Sequence, residues 1–132
     1  GKNFMKVQAD SIEEFLSAVP EKEADLREID SFIMETIPDA NRDLMKMSSI
    51  TLLSYWPTGM SIKEWPPIGL APQKNYISLY VSGEKEGQSL GEYYAKALGK
   101  ASVGKACIRI KDFSRIDKRN LRRLILDVTT ND

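Results

Sequence analysis

Tyr76-Ile77-Ser78-Leu79-Tyr80-Val81 decides how this chain is read. The run is rich in β-branched and aromatic residues, which suit a pleated, half-buried segment better than a helix. Ser82-Gly83-Glu84-Lys85-Glu86-Gly87 then ends it in a polar connection. Upstream, Ser49-Ile50-Thr51-Leu52-Leu53-Ser54-Tyr55-Trp56 has the same strand composition. Proline and glycine crowd the stretch between them, at Pro57, Gly59, Pro66, Pro67, Gly69 and Pro72. Within that stretch Ile62 to Trp65 is expected as a short edge segment. Downstream, Lys105 to Lys111 predicts a further strand. Successive strand side chains alternate, so Ala106, Ile108 and Ile110 share one face and Cys107, Arg109 and Lys111 the other.

Both ends of the chain carry helical periodicity instead. Ser11-Ile12-Glu13-Glu14 has the spacing of a capping box, in which Ser11 accepts from the Glu14 amide and Glu14 reaches back to the Ser11 amide. It predicts a short helix over 12–19. Pro20 fits the first turn of a second helix, where its missing N–H costs nothing. Leu26, Ile29, Phe32, Ile33 and Ile37 make one apolar stripe on that helix. Pro38 stops it by pushing the preceding residue out of the α region. Leu90, Tyr94 and Leu98 predict a third helix over 90–98, with Gly99 as its stop. Asp117 caps a last helix over 118–128, buried through Leu121, Leu124, Ile125 and Val128.

Helices, then strands with an inserted helix, then a final helix predict an α+β fold. The N-terminal and C-terminal helices would pack on a mainly antiparallel sheet. The expected core is Leu26, Ile29, Phe32, Ile33, Leu79, Ile108, Ile110, Leu121 and Leu124. A length of 132 residues suits one domain, taken as residues 5–129. Gly1 to Phe4 are read as an added remnant or a disordered lead-in, with Met5 as a native start.

Composition excludes several classes. Lys+Arg and Asp+Glu both number 19, so no overall positive charge favours general nucleic-acid or membrane-surface binding. No apolar run approaches the roughly 20 residues needed to span a bilayer. Cys107 is the only cysteine, which rules out an internal disulfide and suits a reducing, cytoplasmic compartment. The chain has no histidine, so it lacks Ser-His and Cys-His pairs. No glycine-rich loop has phosphate-binding spacing.

Four groups of residues could carry function. Glu21, Asp25, Glu28 and Glu35 share one side of the second helix, where oxygen ligands could hold a hard cation weakly. A solvated outer face gives the same pattern. Lys100, Lys105, Arg109 and Lys111 form a basic stretch, followed by Arg115, Lys118, Arg119, Arg122 and Arg123. Lys105 and Arg109 on a strand could bind a carboxylate or phosphate. Cys107 between them is either a packed thiol or a nucleophile activated by those cations. Tyr55, Trp56, Trp65, Tyr76 and Tyr80 could form a pocket, a partner surface or a satellite core.

Several stretches resemble the YdhG-like family, a bacterial domain of unknown function. The likeness runs from about Ser11 to Val128. It rests on Ser11-Ile12-Glu13-Glu14-Phe15-Leu16 with Val19-Pro20, and on Ile37-Pro38-Asp39-Ala40. Lys74-Asn75-Tyr76-Ile77-Ser78-Leu79-Tyr80 is similar to the family's lysine-led strand. Gly104-Lys105-Ala106-Cys107-Ile108-Arg109-Ile110-Lys111 is similar to its Gly-Lys-x-Cys-x-Arg strand. Met47-Ser48-Ser49-Ile50-Thr51-Leu52 departs from the Tyr-Gly-x-Pro-x-Phe that many members carry there. The resemblance implies a frataxin-like shape. One branch is described as an iron chaperone, which would give the acidic helix face a role in delivering iron to iron–sulfur or haem assembly. The shared cations Lys74, Lys105 and Arg109 suit an anion instead.

The favoured expectation is a non-enzymatic binding domain for a small anionic ligand or a protein partner, without a cofactor. Lys74, Lys105, Arg109 and Cys107 would form its site, with Tyr55 and Trp56 as the wall. The alternative is an iron chaperone using Glu21, Asp25 and Glu28. An enzyme with Cys107 as nucleophile is the weakest reading, because the sequence offers no partner base.

Overall fold

The computed structural model describes residues 5–61 and 63–131. Helix α1 spans Ile12–Ser17 and starts at Ser11, whose Oγ accepts from the Glu14 amide at 3.1 Å. The Glu14 carboxylate reaches one residue further back than the capping-box spacing predicts, to the Asp10 amide. Pro20–Lys22 form a 3-10 turn that leads into α2, Glu23–Thr36. Pro38 ends α2 as expected, and Ile37 leaves the α region with φ −130°.

Four strands follow in sequence: β1 Asn41–Lys46, β2 Thr51–Trp56, β3 Ile68–Pro72 and β4 Ile77–Val81. Then come a small hairpin, β5 Glu84–Lys85 with β6 Gln88–Ser89, and α3, Leu90–Tyr94, extended by a 3-10 turn to Ala97. Strands β7 Ser102–Val103 and β8 Cys107–Ile110 precede α4, Lys118–Thr129, which Asp117 caps. The main sheet has the order β1-β2-β3-β4-β8-β7, and every neighbouring pair is antiparallel.

Register sorts the side chains onto two faces. Leu44, Leu53, Leu70, Leu79, Ile108 and Val103 form one row across all six strands. This is the face that meets the helices, since its neighbour Tyr55 bonds Asp30 of α2. All nine residues of the expected core are buried, Phe32 the least so at 8% exposure. The other face carries the row Asp43, Ser54, Gly69, Tyr80 and Cys107, and beside it Ser78, Arg109 and Ser102. Gly69 lets Leu52 lie close there, because a Cβ would sit 3.3 Å from its Cδ1.

The strands differ from expectation at several places. β3 lies among prolines and was not expected. Its pairing with β2 stops at Leu70, so Pro72 has no N–H to lose on that side. β1 mixes polar and apolar residues, and β7 is only two residues long. The expected Lys105–Lys111 strand begins at Cys107, so Lys105 and Ala106 sit exposed in the β7–β8 turn. Of the expected edge segment, Ile62 lies outside the described residues, and residues 63–65 form no strand. Among the described residues no helix is long and apolar enough to cross a membrane.

Candidate functional site

The expected wall of Tyr55 and Trp56 does not form, because adjacent strand residues point to opposite faces. Tyr55 is fully buried under the helices. Its hydroxyl donates to Asp30 Oδ1 at 2.8 Å, and Arg42 grips the same carboxylate with Nε at 2.8 Å and a terminal nitrogen at 2.5 Å. Burial, with the Asp30 charge beside it, pushes the Tyr55 hydroxyl well above its usual range, so it stays a neutral donor. This triad joins β1, β2 and α2. It is a structural network that closes on itself.

The three expected cations are also separated. Lys105 is in the β7–β8 turn at one end of the sheet. Lys74 is in the β3–β4 turn, the end at which β8 runs out past the Ile77–Ile110 pair. Arg109 lies between these ends, paired with Ser78 on one side and Ser102 on the other. Its guanidinium donates to Ser102 Oγ at 3.4 Å and passes beside Gly104, where a Cβ would come within 3.3 Å of it.

Arg109 instead joins a different set of cations. A cleft of about 690 Å³ is lined by Arg109, Lys111, Lys100 and Arg115, with Asp112 as its one carboxylate. Tyr76 and Ser102 contribute the aromatic and hydroxyl surfaces. The chain assembles it through Gly99. That residue has φ +85°, which favours glycine, and a Cβ there would lie 2.7 Å from the Arg115 carbonyl. The tight fit lets the Lys100 amide donate to the Arg115 carbonyl at 3.1 Å and the Asp117 amide to Leu98 at 2.9 Å. Two segments 15 positions apart are thereby clipped together at Lys100 and Arg115.

Four cations against one carboxylate leave an excess of three positive charges in the cleft. Asp112 accepts from the Ser114 hydroxyl at 2.7 Å and amide at 3.0 Å, and these bonds, with smaller contributions from the Arg115 and Lys118 charges, hold its carboxyl below the usual range. Among the described residues none of the four cations forms an ion pair. Lys100, Lys111 and Arg115 are exposed, whereas Arg109 is half-buried. The sequence names all four in its basic stretch. It does not show that the Gly99 turn and the Asp117 cap bring Lys100 to Arg115, and neither Lys74 nor Lys105 lines the cleft.

Cys107 is half-buried on the same sheet face, opposite Tyr80. Burial pushes its thiol up, outweighing the Ser78 hydrogen bond and the charge of Arg109, which both act to lower it. The cations therefore do not activate it, contrary to the nucleophile reading. Its alkylation by iodoacetamide at about pH 7.5 is expected to be several-fold slower than that of an unstructured peptide cysteine. A rate equal to the peptide's would contradict this placement.

The acidic residues do not converge either. Glu21 sits in the 3-10 turn before α2, and Asp25 accepts from the Phe113 amide at 2.9 Å. Glu13 and Glu23 are paired with Arg27. Glu28 and Glu35 line a shallow hollow beside Arg27 and Lys118. Among the described residues no group of three His, Cys, Asp or Glu could hold a metal ion. A further cluster, not foreseen, holds the β5–β6 hairpin to α3 and α4. There Asp127 accepts from Tyr94 at 2.6 Å and Lys85 at 3.0 Å.

Comparison of the chain with protein-family models, with curated proteins and with solved structures finds no match in any of the three.

Proposed function

We propose that this domain is a binding module for a small anion, held in the cleft of Arg109, Lys111, Lys100 and Arg115. The observation that carries this reading is the gathering of four cations, none in an ion pair among the described residues, in one concavity. Like charges so placed repel one another, and an anion relieves that repulsion while gaining attraction from each. Arginine adds a planar fork suited to phosphate or carboxylate oxygens. The volume lies within the roughly 300–1,000 Å³ of ordinary small-ligand sites. Arg109 is also the one member of the YdhG-like cation set that lines the cleft, so the family resemblance is compatible with this reading.

Phosphate is the first probe. It is expected to raise the melting temperature of the wild-type chain by several degrees near saturation, since a ligand at about 100 times its Kd stabilises by roughly 2.7 kcal/mol. Phosphate also stabilises proteins generally, through exclusion from their surfaces. The double variant Lys100→Ala/Arg115→Ala therefore serves as control. Both side chains are exposed, so the variant should fold, and it should lose most of the shift. Equal shifts in the two proteins would refute the site.

A further inference from the structure

We infer that the ligand of this cleft is an oligophosphate, two or three linked phosphate groups borne alone or on a nucleotide. The inference rests on the cleft being an anion site at all. Charge gives the first argument. A single phosphate group carries about 1.5–2 negative charges near neutral pH, short of the excess of three in the cleft. A linked chain of two or three phosphates meets that excess. Size gives the second. A volume of about 690 Å³ falls in the range of small-molecule sites and exceeds the room that one phosphate group needs.

Placement gives the third argument. The cations reach the cleft from distinct parts of the chain. Arg109 lies along β7 through its bond to Ser102, and Lys111 emerges past the end of β8. Two residues apart in extended chain, their Cα atoms are separated by roughly 6–7 Å. Lys100 and Arg115 come from the two loops clipped together by the Lys100 amide and Arg115 carbonyl. Such a spread suits a chain of linked groups, each met by its own cation. It suits one compact anion less well. The mixture of arginine forks and lysine point charges is the pairing that phosphate groups commonly meet. Tyr76 also lines the cleft and is the aromatic side chain there against which a nucleotide base would stack.

Calorimetric titration at fixed ionic strength tests this with phosphate, pyrophosphate, tripolyphosphate, citrate and ATP. Tripolyphosphate is expected to bind at least about tenfold more tightly than phosphate, with pyrophosphate between them. Lys100→Ala should cost tripolyphosphate about tenfold and phosphate about threefold or less. ATP tighter than tripolyphosphate, with the gain lost in Tyr76→Ala, assigns the source to a nucleotide. Equal affinities assign it to the phosphate chain alone, and either result supports the class. Phosphate binding as tightly as tripolyphosphate would overturn the oligophosphate inference and leave the anion site standing. Citrate matching tripolyphosphate would overturn it in the same way. No binding by any of the five would remove both readings.

Discussion

Replacing Asp30 by alanine is expected to destabilise the domain by about 3 kcal/mol, at the lower end of the 3–5 kcal/mol seen when one partner of a buried pair is removed. Asp30 is only 6% exposed and is held by three donors, two from Arg42 and one from Tyr55. Its loss would leave the Tyr55 hydroxyl fully buried without its acceptor. It would also leave the half-buried Arg42 guanidinium without the carboxylate that holds it. Arg42 keeps 30% of its side chain in contact with water, which limits the penalty. Asp30→Asn keeps the shape and one acceptor, so it should cost distinctly less. Denaturant unfolding of the three proteins separates these outcomes. A loss below about 1 kcal/mol for Asp30→Ala would show that the triad contributes little.

Phe32→Ala should cost about 3–4 kcal/mol by the usual scale for truncating a core aromatic. Phe32 stands where α2 meets the turn before α4. Its ring meets Phe113 edge-on at 5.9 Å, and the Arg122 guanidinium lies 5.2 Å above it. Alanine would strip away both contacts and leave a void between α2 and the segment that leads into α4. A double-mutant cycle with Phe113→Ala should return a coupling of about 0.5–1.5 kcal/mol for the ring pair. Additive losses would mean that the two rings merely share a neighbourhood.

The fold was legible in the sequence wherever one periodicity ran long enough. The stripe Leu26, Ile29, Phe32 and Ile33 and the caps at Ser11 and Asp117 identify helices α1, α2 and α4. Ile77 to Val81 identifies the centre of the sheet. Strand β3 was not legible, because Ile68-Gly69-Leu70-Ala71-Pro72 reads as a loop until pairing with β2 and β4 gives it neighbours. The candidate site was legible by residue type but not by position. Arg109, named in the sequence as a ligand-binding candidate, lines the cleft, yet its neighbours there follow from contacts far apart in sequence. The Gly99–Ile116 bridge sets Lys100 beside Arg115, and no local pattern encodes that meeting. Lys105 was misplaced for a related reason. Gly104 to Ala106 alternate plausibly as strand residues, but the two-residue strand β7 requires a turn there. Tyr55 and Trp56 show the same limit. Both are aromatic and adjacent, and the strand sends them to opposite faces.

The most direct test of the cationic cleft is a phosphate titration followed residue by residue through amide nuclear magnetic resonance shifts. Saturable changes are expected at Lys100, Ser102, Arg109, Lys111 and Arg115. They should weaken as salt rises, because exposed charges are screened over about 8–10 Å. Amides of α1, which contributes no residue to the cleft, should stay still. Changes that never saturate, or that spread evenly over the surface without centring on Arg109, would contradict the anion site and with it the function proposed for this domain.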